Sequence, residues 1–145
     1  MTVKEYLEQI KTLDIKIDQK QKQLDELRLK AYGDKSPSIG KSFIQSSPNG
    51  DQMESSVVRY VDLEHEIEVM IDNYTDTKNR IINEIHMLNN NLFIQLLFKR
   101  YVEYKQLDVI AIEMNYTEDY IRHVHGNALE AFRTKVLNRT ITYNK

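Results

Sequence analysis

Apolar residues enter the chain in alternating steps of three and four: Val3, Tyr6, Ile10, Leu13, Ile17 and, past Lys20, Leu24, Leu27 and Ala31. That spacing keeps about one side chain per turn on one helical face, as in a heptad seam. It predicts an amphipathic helix over residues 1–32. Thr2, with Glu5 three positions on, has the form of a capping box at its start, and Gly33 suits its end. A second series runs Val57, Tyr60, Glu64, Ile67, Ile71, Tyr74, Lys78, Ile81, Ile85, Leu88, Leu92, with nine of its eleven positions apolar. It predicts a long amphipathic helix over residues 53–90, widened by Val61, Val69, Met70 and Ile82. The run from Asp72 to Thr77 has poor helix propensity and predicts a bend or break there.

Between the two series, residues 33–52 hold both prolines, three of the four glycines and five serines, the composition of a flexible linker. A helix as long as the second cannot bury its stripe alone. It must fold back on the first helix as a hairpin or pair with another chain, and both solutions stay open. The paired seams lead us to expect oligomerisation through residues 53–90, as a homodimer.

The pattern then shortens. Leu92, Phe93, Leu96, Leu97 and Tyr101 stand at helical spacing, followed by a polar joint at Glu103-Tyr104-Lys105. A second segment, Gln106 to Met114, aligns Leu107, Ile110, Ala111 and Met114. Asn115-Tyr116 reads as a tight turn, since Asn tolerates the left-handed conformation. Thr117 reads as an N-cap, with Glu118 and Asp119 in the positive first turn. The last helix puts Ile121, Val124, Ala128 and Phe132 on one face. The expected fold is all-α: a long N-terminal helical hairpin or coiled-coil segment, a helix-turn-helix over residues 91–137, and a tail over 138–145.

In such a unit the second helix meets DNA with its N-terminal residues. The outward positions are Glu118, Asp119, Tyr120, Arg122, His123 and Asn127, beside the capping Thr117. Arg122 has the geometry to take guanine bidentately, and Glu118 or Asp119 to accept from cytosine N4. His123 could meet a base or a phosphate. Tyr104, Lys105 and Arg133 are candidates for phosphates, which orient without specifying sequence. The bland alternative is a helical interaction module with a solvated face, on which Glu118 and Asp119 serve the helix dipole alone.

Charge qualifies this reading. The chain has 145 residues and a net charge of −2. Residues 1–89 carry 12 Lys/Arg against 16 Asp/Glu, and residues 90–145 carry 8 against 6, so the basic excess is C-terminal and small. Dimerisation or a second DNA-binding partner would be needed for a large electrostatic contribution. The absence of Cys excludes disulfides and thiolate zinc sites and fits a cytoplasmic setting. No apolar run is long enough for a membrane span. Gly40-Lys41-Ser42 lacks the earlier glycine of a phosphate-binding loop, its place being taken by Lys35. His65-Glu66 is closed by Val69 where a second histidine would complete a zinc pair. His123 and His125 are two apart and diverge on a helix. No catalytic constellation stands out, so neither an enzyme nor a cofactor is expected.

The run Arg100-Tyr101-Val102-Glu103, Ile110-Ala111, Met114-Asn115-Tyr116-Thr117, Ile121-Arg122, Ala128-Leu129 resembles region 4 of bacterial sigma factors over about 33 residues without a gap. It departs from that pattern where Tyr104 and Asn115 stand for glycines. The whole chain, with Val124-His125-Gly126 before Ala128-Leu129, is similar to phage or prophage regulators of the ArpU/RinA type. The resemblance implies a transcriptional regulator that binds double-stranded DNA, with RNA polymerase as a partner. Two other classes compete: a DNA-packaging adaptor like a phage small terminase subunit, and a protein-binding module that holds polymerase or another regulator without DNA.

Overall fold

The computed structural model describes residues 1–33 and 50–139, and the side chains of 50–53 are not described. The expected linker, apart from its ends, and the last six residues of the expected tail lie outside the described residues. The described residues are helical, with no strand among them. The helices are α1 (Val3–Leu7), α2 (Gln9–Tyr32), α3 (Gly50–His86), α4 (Asn91–Leu97), α5 (Leu107–Met114) and α6 (Glu118–Phe132). Among the described residues no helix is long and apolar enough to cross a membrane.

The first helix starts as the capping box requires. The Thr2 hydroxyl accepts from the Glu5 amide at 3.1 Å, and the Glu5 carboxylate accepts from the Thr2 amide at 2.9 Å. Glu8 forms a one-residue irregularity between α1 and α2, bridged by the Glu8 amide on the Lys4 carbonyl and the Thr12 amide on the Glu8 carbonyl. Gly33 closes α2 at φ 71°.

Three expectations for the long helices need correction. The helix α3 begins at Gly50, so residues 50–52 belong to it rather than to the linker. It also runs unbroken through residues 72–77. Packing overrides propensity there: Thr77 is buried and Tyr74 lies against the core. Third, the expected seam holds at Tyr60 and Ile67 but fails at Glu64 and Ile71, which are exposed. Ile71 is 43% exposed, whereas Leu63, outside the expected seam, is 7% exposed. The buried face runs through Leu63, Ile67, Tyr74, Thr77, Ile81 and Ile85, which follows the 3.6-residue helix period. Leu7, likewise outside the expected N-terminal seam, is fully buried.

The chain divides into two compact units. One joins Met1–Leu13 to Tyr74–Lys145. Its main core gathers Leu7 and Ile10 with Ile81, Ile85, Leu97, Tyr101, Ala128 and Phe132. The segment carrying α4, α5 and α6 is therefore packed on the N-terminal turns of the chain, with Leu97 of α4 clustered with Ile10, which is 87 positions earlier in sequence. The Tyr6 hydroxyl donates to Glu84 at 2.6 Å, and burial, then this carboxylate, push the phenol up to about 12. Tyr6 and Phe132 rings meet at 5.9 Å between centroids.

The second unit spans Asp14–Asn73. Here the lower part of α3 and the upper part of α2 meet side by side. Leu24 clusters with Leu63 and Ile67, Lys20 pairs with Glu66 at 3.2 Å, and Tyr32 meets Tyr60 edge-on at 5.2 Å. These contacts advance along α2 while receding along α3. This core is small: Val58, Val61 and Val69 remain more than half exposed.

Candidate nucleic-acid interface

The C-terminal helices are positioned by caps and by two left-handed residues. Asn90 starts α4, its side chain accepting from the Leu92 amide at 2.9 Å and the Phe93 amide at 3.3 Å. After Leu97 the helix widens over Phe98–Val102, where the Glu103 amide donates to the Phe98 carbonyl five residues back. Tyr104 then takes φ 61° and reverses the chain into α5. This is one of the two positions where the sigma pattern has glycine. A Tyr there carries the steric cost that glycine avoids, and its ring packs against the main core. Asn115, the other such position, takes φ 61° and ψ 42°, as expected for the turn. Thr117 caps α6, accepting from the Tyr120 amide at 3.2 Å.

Helices α5 and α6 share a small core of Ile110, Ala111, Ile121 and Val124 under Leu96. Ala128 and Phe132 continue the buried face of α6 into the main core. The outer face carries Glu118, Asp119, Tyr120, Arg122, His123 and Asn127, all exposed. The Tyr120 ring leans on Tyr116 at 5.0 Å.

The sequence-selected cations are engaged. Lys105 sits 2.7 Å from Glu113 and 3.2 Å from Glu103, and Glu113 also holds Lys99 at 3.0 Å. Glu113 first, then Glu103, raise the Lys105 pKa, while Lys105 first, then Lys99, lower that of Glu113. Arg122 pairs with Glu118 one turn earlier on α6, and Arg133 pairs with Glu130. Each pair is solvent-accessible, so an incoming phosphate meets an exchange of partners rather than a bare cation.

Tyr104, Glu118 and Arg122 come together on an open groove of about 500 Å³, whose wall is completed by Gln106, Leu107 and Asp108 of the α5 start and by Arg100 and Lys11. Thr117, Asp119, Tyr120, His123, Asn127, Lys105 and Arg133 do not line it. The Arg100 guanidinium donates to the Lys105 carbonyl at 3.0 Å. Sequence reasoning did not single out Lys11 or Arg100 as contact residues. Arg100 was visible as part of the Arg-Tyr motif, but Lys11 had no signal, because only the fold brings it near α6.

His125, weighed in the sequence only as a metal partner of His123 and as part of the Val124-His125-Gly126 run, has a structural partner instead. It stacks on Tyr101 with centroids 5.8 Å apart, and its Nε2 shares a hydrogen bond of 2.8 Å with the Tyr101 hydroxyl. Burial, then the charges of Arg100 and Lys4, lower the imidazole below its ordinary value. Burial pushes the Tyr101 phenol up to about 12. Among the described residues no group of His, Asp and Glu side chains is arranged to hold a metal ion. Comparison with protein-family models, with curated proteins and with solved structures finds no match to this chain.

Proposed function

We propose that α5, the Asn115-Tyr116 turn and α6 act as a helix-turn-helix that binds double-stranded DNA in transcription control of the phage or prophage type, with RNA polymerase as a partner. The observation that carries this reading is the division of α6. Ile121, Val124, Ala128 and Phe132 are buried, and the opposite face presents six hydrogen-bonding side chains to solvent from a capped N-terminus. That is what a recognition helix needs to reach base edges in the major groove. Arg122 is the residue proposed to read guanine, exchanging Glu118 for the base. Lys105 and Arg133 would contact phosphates on the same exchange principle, as would Tyr104, next to Lys105 in the joint.

The proposed assembly is a homodimer through the Asp14–Asn73 unit. Its support is the small core of that unit and the exposed Val58, Val61 and Val69. Light scattering at tens of micromolar tests it, and a monomer would refute it. A ring of many subunits would instead favour the packaging-adaptor reading.

The DNA reading is tested by selecting sites from random duplexes and titrating the winner at several salt concentrations. A steep salt dependence is expected. Arg122→Ala should weaken the selected site roughly tenfold to a hundredfold and relax preference at one base pair. Equal loss on random DNA would reduce Arg122 to a phosphate contact. One observation favours a protein-binding reading: Ile112 is 78% exposed beside Val109 on the outer side of α5. A module of that kind would hold polymerase and show no salt-dependent DNA binding.

A further inference from the structure

The groove beside the start of α6 has an uneven charge lining. Glu118 is neutralised by Arg122, and Asp108 accepts from the Val109 amide at 2.8 Å. Lys11, Arg100 and Tyr104 line the groove too and share a second, smaller cleft. Among the described residues these two cations form no ion pair, in contrast to Lys99, Lys105, Arg122 and Arg133. The placement of Lys11 follows from the core. Leu7 and Ile10 are fully buried with Tyr101, which fixes the rotation of α2 and turns the next residue toward Arg100. Arg100 is held by its bond to the Lys105 carbonyl and by a side-chain hydrogen bond with Tyr101, and a guanidinium has more N–H donors than these partners use.

We infer that Lys11 and Arg100 form a phosphate clamp, so that the N-terminal helix of the chain takes part in gripping DNA. The clamp rests on the DNA reading above. Its ligand is one backbone phosphate of the strand that passes the start of α6. Charge decides the position: Arg122 is committed to Glu118, whereas Lys11 and Arg100 form no ion pair among the described residues and attract the phosphate. One carboxylate works against the clamp. Glu8 lines a smaller cleft of about 60 Å³ with Lys11, Arg100, Tyr101 and Tyr104. It therefore makes a control of opposite sign.

The test uses the full chain and the selected duplex, with affinity measured across a salt series and folding checked by circular dichroism. Lys11→Gln should lower the slope of log affinity against log salt by about one and weaken binding roughly five- to tenfold at 0.1 M salt, on selected and random duplexes alike. Glu8→Gln should tighten binding, and Lys11→Arg should keep wild-type affinity. Exposed Lys16, which lies outside the groove, should tolerate Lys16→Gln without change. If Lys11→Gln leaves slope and affinity unchanged while Arg122→Ala still weakens the site, the clamp is wrong and the DNA reading stands. If the wild-type chain binds no duplex in a salt-dependent way, the DNA reading falls and the clamp with it.

Discussion

Phe132 offers the sharpest test of how the C-terminal helices are held. It is the largest of the side chains with no exposure, it lies in the main core, and its ring meets Tyr6 at 5.9 Å with a 43° tilt. Truncation to Ala removes a buried ring and leaves a cavity lined by residues from four stretches of chain, which leaves little scope for collapse. The expected loss is about 3–5 kcal/mol. Phe132→Leu keeps most of the volume and forfeits mainly shape and the ring pair, for about 1–2 kcal/mol. Against a typical domain stability of about 5–15 kcal/mol the Ala variant loses a large fraction of the fold, and the Leu variant remains measurable. The assay is urea unfolding followed by far-ultraviolet circular dichroism, with the slope compared between variants. An unchanged slope and a shifted midpoint report stability alone. The Leu variant should also melt roughly 2–8 °C lower. A loss below about 1 kcal/mol for Phe132→Ala is what a surface substitution gives, and it would refute the packing described.

Two further outcomes follow from particular residues. The His125 pKa lies below 6.5 in the folded chain, so the neutral imidazole is favoured by folding; its contribution is complete above 6.5 and lost as pH falls below it. Urea midpoints measured from about pH 8 to about pH 5 should fall more for the wild type than for His125→Gln, and parallel curves would remove His125 from the account. At the turn, Asn115→Val should cost about 1–2 kcal/mol because φ is 61°, while Asn115→Gly should stay within about 0.5 kcal/mol; equal effects in thermal melts would show that the left-handed geometry is not maintained.

The short C-terminal helices were legible because each carries several local signals that agree. Asn115, Thr117 and the spacing Ile121, Val124, Ala128, Phe132 all point to one turn and one buried face, and the structure has both. The long helices were legible in extent and less so in rotation. Over many turns, steps of three and four can drift by one position, and for that reason Leu63 rather than its neighbour Glu64 is buried, while Ile71 is exposed. The unbroken path of α3 through Asp72–Thr77 depended on burial of Thr77, which local propensity does not contain. The groove was legible on one side alone. Arg122, Glu118 and Tyr104 lie within one segment, whereas Lys11 reaches them through tertiary packing, and no periodicity spans that separation. Ion pairs such as Lys105 with Glu113 depend on how α5 lies over the joint and were equally out of reach. That residues 1–13 and 74–90 share a core with α4 and α6 is a further property of packing rather than pattern.

The widened turn at Phe98–Val102 also acts on the phase of everything after it. A turn closed by a bond from Glu103 to Phe98 holds one residue more than an α-helical turn, and Arg133–Leu137 repeats the device where the Asn138 amide reaches the Arg133 carbonyl. Each extra residue rotates the following side chains by about 100° relative to an uninterrupted helix. Tyr101 and Val102, neighbours in sequence, are thereby both buried, and the reversal at Tyr104 is set from that shifted starting point. Such a turn is where a chain absorbs the gain or loss of a single residue. Deleting one residue between Phe98 and Val102 would restore the ordinary pitch and turn the joint, with Arg100, away from its present bearing. In this protein the aim of the C-terminal helices is thus fixed by a count of residues as much as by their kind.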